Sequence, residues 1–311
     1  MYTPHPTAML EETISGLTCM PGHVVVDCTL GGCGHALAVC ERIGPEGLLI
    51  GIDQDAEAIE NARNILSRYR DRVKLVHEDF SMLPVILQQM HIEGVNGIVM
   101  DLGMSRHHLE GSCRGFSFQK DEPLDMRMDV RQTVTAETLL RTLNEDELTD
   151  VFYRFGEERY ARRIAGAIVR SRKKRPLLTS GQLAAVVLDA LPAKARNQHI
   201  HPATRVFMAL RIVVNRELEK LERFLQAVPD CLVSGGRLCI LSFHSLEDRI
   251  VKRYFRQWEG RCTCAPGIPK CVCNRSTSMR PVYRRCLRPS PDEIAKNPLA
   301  RSTRLRIAEK R

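Results

Sequence analysis

The stretch HVVVDCTLGGCGHALAVCER, residues 23–42, decides the fold, because an apolar strand, a glycine-rich turn and a helix follow one another in it. The strand is predicted over 23–29 and the helix over 36–42. The turn between them contains Gly31, Gly32 and Gly34. Glycine lets the backbone approach a ligand, and the free N–H groups at the start of a helix favour an anion. The stretch is therefore typical of a nucleotide-binding turn.

Strands and helices continue to alternate after this stretch. Apolar runs predict strands at 47–53, 73–80, 97–103 and 235–243, with closing strands near 281–287 and 303–309. A second helix is predicted over 55–68. This alternation predicts an α/β fold with a doubly wound parallel sheet, whose ligands bind outside the carboxyl ends of the strands.

The alternation stops for about a hundred residues after the fourth strand. Two apolar stripes with helical spacing indicate helices there, Leu148, Val151, Phe152 and Phe155 in one and Ala161, Ile164, Ala165 and Ile168 in the other. A long helix is predicted next, over 203–227. We therefore predict a discontinuous sheet-forming domain, residues 1–109 and 201–311, interrupted by an all-helical insertion, residues 110–200.

The composition is that of an ordinary globular protein, with 43% hydrophobic and 27% charged residues. Apolar runs stay below the roughly 18 residues that a membrane-spanning helix needs. The N-terminus, MYTPHPTAMLEE, has neither the basic nor the apolar region of a signal peptide. Twelve cysteines scattered through strand and helix patterns suit a reducing compartment. We therefore expect a cytoplasmic protein that does not associate with a membrane.

The net charge of +9 is concentrated in two places. Residues 154–175 carry nine Arg or Lys against two Glu, and residues 275–311 carry eleven against three acids. Either cluster alone could be a solvated face. Two clusters in one chain favour a polyanionic partner, and nucleic acid in particular, because Lys and Arg neutralise phosphates and release counterions.

The second, third and fourth strands end in residues that can bind parts of a nucleotide-like ligand. Asp53 ends the second strand, where a carboxylate can accept both ribose hydroxyls. Asp79 and Phe80 end the third and suit an adenine amino group and an apolar wall, and Asp101 ends the fourth. The G-x-G-x-x-G fingerprint fails at Leu37, which disfavours a nicotinamide enzyme. The layout is that of class I S-adenosylmethionine methyltransferases.

Several longer motifs go beyond fold class. They include GIDQD at 51–55, RGFSF at 114–118, PLDMRMD at 123–129, HPATR at 201–205 and SFHSLEDRIVK at 242–252. With these motifs the chain resembles, nearly end to end, the family of ribosomal small-subunit RNA cytosine-N4 methyltransferases, also called RsmH or MraW. The resemblance implies S-adenosyl-L-methionine as the cofactor and methylation of the exocyclic N4 amine of a decoding-site cytidine in 16S rRNA.

The resemblance also implies cofactor contacts. Together with the strand-end argument, it assigns them to Gly31, Cys33, Gly34, His35, Asp53, Asp79, Phe80, Asp101 and His108. Three positions depart from the family pattern: Cys33 stands at a usual glycine, His107-His108 replaces a Pro-Gln-like pair, and Glu122 replaces a glycine. Cys33 lies at a helix start, where a thiol can have a lowered pKa and be reactive. Burial as a small hydrophobe is the alternative.

The chemistry needs an acceptor for a proton. Cytosine N4 is a poor nucleophile because its lone pair is delocalised, and the base must be single-stranded or flipped to be reached. An oxygen that accepts an N4 hydrogen would help to localise the lone pair. Asp101 is the candidate for this catalytic role, with orientation of the cofactor as its alternative.

A further group of residues is expected to bind the substrate. Candidates for the base pocket are Phe116, Phe118, Asp125, Arg127 and Asp129, with Ser242, His244 and Asp248 opposite. For the charged members, a loop network in which Arg127 pairs with nearby acids is an equal alternative. Candidates for phosphate contacts are Arg172, Lys173, Lys174 and Arg175.

Two questions stay open in the sequence. Cys262, Cys264, Cys271 and Cys273 could hold a structural zinc, but C-x-C pairs suit zinc less well than C-x2-C pairs, so reduced thiols are preferred. A catalytically silent rRNA-binding assembly factor is the alternative function, which Gly34, Asp53 and Asp101 disfavour because such a factor needs none of them. The expected partner is 16S rRNA within the small subunit rather than DNA, and a homodimer is left open.

Overall fold

The computed structural model describes residues 6–196, 201–261 and 277–311. The chain divides into two compact units. The sheet unit consists of residues 2–103 and 218–311, and the helical unit consists of residues 104–217. The helical unit is thus wider at both ends than the predicted insertion of 110–200.

The sheet unit is built on one seven-stranded sheet in the described residues. Its strands are β1 Val24–Asp27, β2 Leu48–Asp53, β3 Val73–His77, β4 Val95–Asp101, β5 Leu232–Ser242, β6 Met279–Pro281 and β7 Arg304–Lys310. They lie in the order β3-β2-β1-β4-β5-β7-β6. Strands β1 to β5 are parallel, and β7 is antiparallel to both β5 and β6. The predicted doubly wound α/β fold of class I methyltransferases is confirmed.

The helices follow one another along the chain. They are α1 Leu10–Leu17, α2 Gly34–Ile43, α3 Ala56–Ile65, α4 Leu83–Gln89, α5 Arg106–Glu110, α6 Ala136–Thr142, α7 Glu145–Gly156, α8 Ala161–Lys174, α9 Ser180–Ala190, α10 Ala193–Arg196, α11 Ala203–Asn215, α12 Glu217–Cys231, α13 Ser245–Trp258 and α14 Pro291–Lys296. Short 3-10 helices occupy Ser67–Arg72, Phe80–Met82 and Pro298–Ser302.

Both faces of the sheet are buried. Val25 belongs to one apolar cluster, with residues of α2, and Val26 belongs to the other, with residues of α12 and α13. Successive strand residues point to opposite faces, so this division shows that helices cover the sheet on both sides. The helical unit has its own core, in which Phe152, Ile164 and Leu210 are fully buried. Both predicted helical stripes lie on α7 and α8 and pack into that core.

The predicted long helix over 203–227 is wrong, because the helix stops at Asn215. Arg216 adopts a left-handed conformation, with φ of 52°, and a new helix begins at Glu217. The apolar positions stay in phase across the interruption, so the sequence periodicity does not register it. They nevertheless serve different cores, Phe207, Leu210 and Val214 in the helical unit and Leu221 and Leu225 in the sheet unit.

The predicted strand near 281–287 is also wrong in extent. Strand β6 covers only Met279–Pro281. The chain then leaves the ladder and touches β7 again through an isolated bridge between Leu287 and Leu305. The four residues between Val282 and Leu287 stand outside the sheet.

Candidate functional site

Three carboxylates gather at one edge of the sheet. Asp27 is the last residue of β1 and pairs in register with Gly51 of β2 and Val99 of β4. Asp53 and Asp101 therefore lie two residues further along the neighbouring strands. Because these strands are parallel, their carboxyl ends bring Asp53 and Asp101 to one edge, as the sequence predicted, and Asp27 joins them there.

The glycine-rich turn is tied to β2 by Asp53. One carboxylate oxygen, Oδ2, accepts a hydrogen bond from the N–H of Gly31 at 3.0 Å, and Oδ1 accepts one from the N–H of Asp55 at 2.9 Å. Asp53 thereby fixes the glycine-rich turn at the carboxyl end of β2.

Gly34 is required by internal packing. A Cβ atom at this position would lie 1.6 Å from Oγ1 of Thr7 and 2.8 Å from its Cβ. No side chain fits without moving the segment that carries Thr7. The glycine therefore allows the segment that carries Thr7 to pack closely against the turn. The sequence had suggested only that it allows a ligand to approach.

His35 and Asp101 carry buried polar atoms without hydrogen bonds. His35 is 4% exposed, and neither of its ring nitrogens has a hydrogen-bond partner among the described residues. Its Nε2 lies 3.7 Å from Oδ2 of Asp101, whose Oδ1 is also buried and unpartnered. Buried polar atoms are almost always hydrogen-bonded. The two side chains therefore fit a ligand with complementary polar groups, such as the charged methionyl end of S-adenosylmethionine.

Asp27 lies beneath this edge and is 1% exposed. Burial raises the pKa of its carboxyl to about 6, with Asp101 and Asp53 adding to the effect and His35 opposing it. Oδ1 of Asp27 accepts a hydrogen bond from the N–H of Thr29 at 3.0 Å. The hydroxyl of Thr29 accepts one in turn from the N–H of Asp101 at 2.7 Å. Asp27 thus helps to hold the end of β4 in place.

Lys220 is a site residue that the sequence analysis missed. Its Nζ lies 2.6 Å from Oδ2 of Asp79 and donates to Oε1 of Gln54 at 2.7 Å. The other oxygen of Asp79 accepts a hydrogen bond from the N–H of Ser81 at 2.7 Å. Lys220 lies in a run of alternating charges on α12, where no local pattern separates it from a solvated lysine. It joins the ends of β2 and β3, where the sequence placed the ribose and the adenine.

Phe80 and Cys33 are buried. The ring of Phe80 is 9% exposed and packs edge-on against Phe224, with centroids 5.8 Å apart. Cys33 is 1% exposed and left-handed, with φ of 63°, a conformation that favours glycine. Burial, reinforced by Asp27 and Asp53, raises the pKa of its thiol. The expected lowered pKa is therefore wrong, and the buried small hydrophobe is the correct alternative.

The helical unit contains the predicted base-pocket loop. The guanidinium of Arg127 pairs with Asp125 through two contacts, Nε to Oδ1 at 2.8 Å and Nη2 to Oδ2 at 2.7 Å, and also donates to the carbonyls of Val130 and Gln132. Burial alone would raise the pKa of Asp125, but the hydrogen bonds from Arg127 outweigh it and lower that pKa. Asp129 pairs with Arg131 in the same way. The loop network is thus present.

Aromatic residues of the helical unit divide into two kinds. Phe116 is 5% exposed and packs on His108, whose Nδ1 accepts a hydrogen bond from the N–H of Ser105 at the start of α5. Phe118 is half-buried and stacks on His201 with ring centroids 4.3 Å apart. The pair of Phe118 and His201 is therefore the better placed of the two to meet a ligand.

Three predicted substrate residues lie on β5 and α13. Ser242 is buried and donates to the carbonyl of Arg304 at 3.4 Å, and His244 caps α13. Asp248 binds Arg304 and Arg306 at 2.5 Å and 2.8 Å. Burial would raise the pKa of Asp248, but the hydrogen bonds from both arginines outweigh it and lower the pKa. In the sheet unit, these contacts bind α13 to β7.

The four residues predicted to contact phosphate also differ in their surroundings. Arg172 is half-buried and donates hydrogen bonds to the carbonyls of Leu140 and Leu143, so it caps the C-terminal end of α6. Lys173, Lys174 and Arg175 are exposed at the end of α8.

The four cysteines proposed for zinc, Cys262, Cys264, Cys271 and Cys273, lie outside the described residues. Among the helices of residues 6–196, 201–261 and 277–311, none combines the length and apolar character needed to span a membrane.

Comparisons of the sequence with a family model and with named relatives agree on one family. A model of the MraW methylase family matches residues 2–311. Three relatives are named ribosomal RNA small subunit methyltransferase H. That of Desulfosudis oleivorans is 52% identical over 307 residues, 98% of each chain. That of Desulforapulum autotrophicum is 52% identical over 98% of each chain, and that of Syntrophotalea carbinolica is 48% identical over 97% of this chain and 96% of its own.

Proposed function

Because the chain belongs to the MraW methylase family, we propose that it methylates the exocyclic N4 of a cytidine in 16S rRNA, near the decoding site of the small ribosomal subunit. S-adenosyl-L-methionine supplies the methyl group. The observation that carries the proposal is the match of the family over residues 2–311, together with relatives named small-subunit rRNA methyltransferases at 52% identity. The specificity for N4 rests on the PLDMRMD and SFHSLEDRIVK motifs. We place the activity in the cytoplasm.

The sheet unit would hold the cofactor through groups at the carboxyl edge of the sheet. Asp53, at the end of β2, would bind the ribose hydroxyls. Lys220 and Asp79 fix the ends of β2 and β3 around the adenosine. His35, with its unpartnered ring nitrogens at the start of α2, would bind the methionyl carboxylate.

Asp101 is the proposed proton acceptor. Its Oδ1 is buried and has no hydrogen-bond partner in the described part of the chain, so it can accept an N4 hydrogen of the cytosine. That hydrogen bond localises the N4 lone pair, and Oδ1 takes the proton as the new N–C bond forms. His35, with Nε2 3.7 Å from Oδ2, lies close enough to favour the charged form of this carboxylate when the ring is protonated.

The helical unit would bind RNA. Lys173, Lys174 and Arg175 are exposed and carry the charge that phosphates need. The stacked pair of Phe118 and His201 offers an aromatic surface to an unstacked base.

The test is transfer of labelled methyl from S-adenosylmethionine to small subunits that lack their native modifications, followed by nucleoside analysis. We expect N4-methylcytidine. A different methylated nucleoside would contradict the proposed atom. Cofactor binding without transfer to any small subunit would favour the assembly factor.

A further inference from the structure

The edge of the sheet next to β7 carries a bulge. The N–H of Val282 donates to the carbonyl of Ile307, and the N–H of Leu287 donates to the carbonyl of Leu305, both at 2.9 Å. Between these bonds, four residues of one chain segment stand opposite a single residue of β7, Arg306. The segment 283–286, which we call the edge bulge, is therefore forced out of the sheet while both of its ends are held.

The side chains of the edge bulge are basic and aromatic. Tyr283 is 50% exposed, and Arg284 and Arg285 are also exposed. Arg288, two residues past the bulge, is exposed as well. Residues 282–290 contain these three arginines and no acid.

Arginines on the neighbouring strands are neutralised, in contrast. Glu309 pairs with Arg237 and Arg280, and Asp248 pairs with Arg304 and Arg306. No ion pair joins Arg284, Arg285 or Arg288 to any acid in the described part of the chain. The edge bulge therefore carries uncompensated positive charge on a backbone that is fixed at both ends.

Protection of an exposed sheet edge accounts for part of this pattern. Charged residues and bulges at an edge strand prevent it from pairing with other strands. That role needs no tyrosine with half of its surface in water. An exposed aromatic ring beside free guanidinium groups is instead the combination that binds single-stranded nucleic acid, because bases stack on the ring and phosphates pair with the charges.

We propose that the edge bulge is an RNA-binding surface on the sheet unit, in which Tyr283 stacks on an unpaired base and Arg284, Arg285 and Arg288 contact phosphates. The proposal rests on the proposed function only in that RNA is the substrate class. It gives the sheet unit its own contact with RNA, separate from that of the helical unit. Strands β5 and β7 lie between β6 and β4, so variants of the bulge leave the acids at the carboxyl edge untouched.

The test measures binding of the full chain to a labelled single-stranded 16S rRNA fragment at several salt concentrations. The R284A/R285A/R288A variant should weaken binding and reduce the slope of log affinity against log salt by about 2, since each phosphate contact on a single strand contributes roughly 0.7. The Y283A variant should weaken binding at least about fivefold at every salt concentration, and Y283F should retain the affinity.

The matched control is R63A/R68A/R70A, which removes the same charge from the sheet unit at exposed arginines that lie within ion-pair distance of acids. It should leave the slope nearly unchanged. Equal slopes for the two triple variants would overturn the proposal and leave the bulge as edge protection. Affinity for S-adenosylhomocysteine is measured on every variant, and a value equal to that of the wild type shows that the sheet unit is folded.

The result is distinguishable from a failure of the proposed function. If the wild-type chain binds RNA and forms N4-methylcytidine but the bulge variants bind equally well, only the bulge proposal fails. If RNA binding depends on the bulge but no methyl group is transferred, only the proposed function fails.

Discussion

The carboxyl edge of the sheet and the loop over 111–135 contain the same kinds of residue, but they use them differently. In the loop, Arg127 and Asp125 satisfy each other, and Asp129 pairs with Arg131. At the sheet edge, by contrast, both nitrogens of His35 and one oxygen of Asp101 are buried, and no described residue forms a hydrogen bond with them. A charged residue in a functional motif therefore does not by itself indicate a ligand. The difference between the regions is whether the partner is already supplied by the chain.

The largest expected effect concerns Asp101. Asp101→Asn should lower kcat at least about 100-fold, because an amide cannot take the proton from N4. Affinity for S-adenosylhomocysteine, measured by calorimetry, should stay within a few-fold of wild type. Asp71→Asn, at an acid that is almost fully exposed, is the control. A loss of cofactor affinity as large as the loss of kcat would instead make Asp101 a residue that orients the cofactor.

Asp27 should reveal the cost of burying a carboxylate at the sheet edge. Its pKa is raised from 3.8 to about 6, so the folded state retains a proton that the unfolded state has lost between these values. Its contribution to stability therefore falls as pH rises from 4 to 6 and stays low above that range. Asp27→Asn should stabilise the cofactor-free protein by about 3 kcal/mol at pH 7.5 and little at pH 4. Urea unfolding at both pH values measures this, and an equal gain at both would contradict it.

For Arg127, in the loop, we expect the opposite effect: its substitution should lower the stability of the protein. Arg127→Ala removes both contacts to Asp125 and the hydrogen bonds to the carbonyls of Val130 and Gln132, so it should destabilise the protein by about 2–3 kcal/mol. Arg131→Ala, at a pair with a more exposed arginine, should cost less than about 1 kcal/mol. Thermal unfolding compares the two variants. If Arg127→Ala kept wild-type stability yet lost RNA binding, Arg127 would be a substrate contact after all.

Lys220 combines features of the two regions. Its partners are supplied by the chain, as in the loop, but they lie at the carboxyl edge of the sheet. Lys220→Met leaves Asp79 without its cation and should weaken S-adenosylhomocysteine binding about tenfold by loosening the ends of β2 and β3. Arg223→Met, which breaks an exposed pair on the same helix, should not change this affinity. Calorimetric titration of both variants decides the matter, and equal affinities would reduce Lys220 to a structural residue.

The sequence was most informative where geometry follows from chain direction. Parallel strands end at one edge, so Asp53 and Asp101 could be placed together before any coordinates were known. The interruption at Arg216 could not be predicted, because a single left-handed residue leaves the apolar periodicity intact. The pairing of Arg127 with Asp125 was one of two alternatives that the sequence could not decide between, since residues two apart in an irregular loop can turn toward each other or toward a ligand. Lys220 escaped notice because its partners lie 166 and 141 positions away in the chain.

The division of the chain into units has a consequence for synthesis. The helical unit is one continuous piece, residues 104–217, whereas the sheet unit is made in two pieces separated by it. As the chain leaves the ribosome, β1 to β4 emerge first, but the edge of β4 has no neighbour until β5 follows more than a hundred residues later. Domains tend to fold as soon as they are complete. The helical unit should therefore fold first, although its residues come later than those of β1, and the sheet is completed only after β7 has been synthesised.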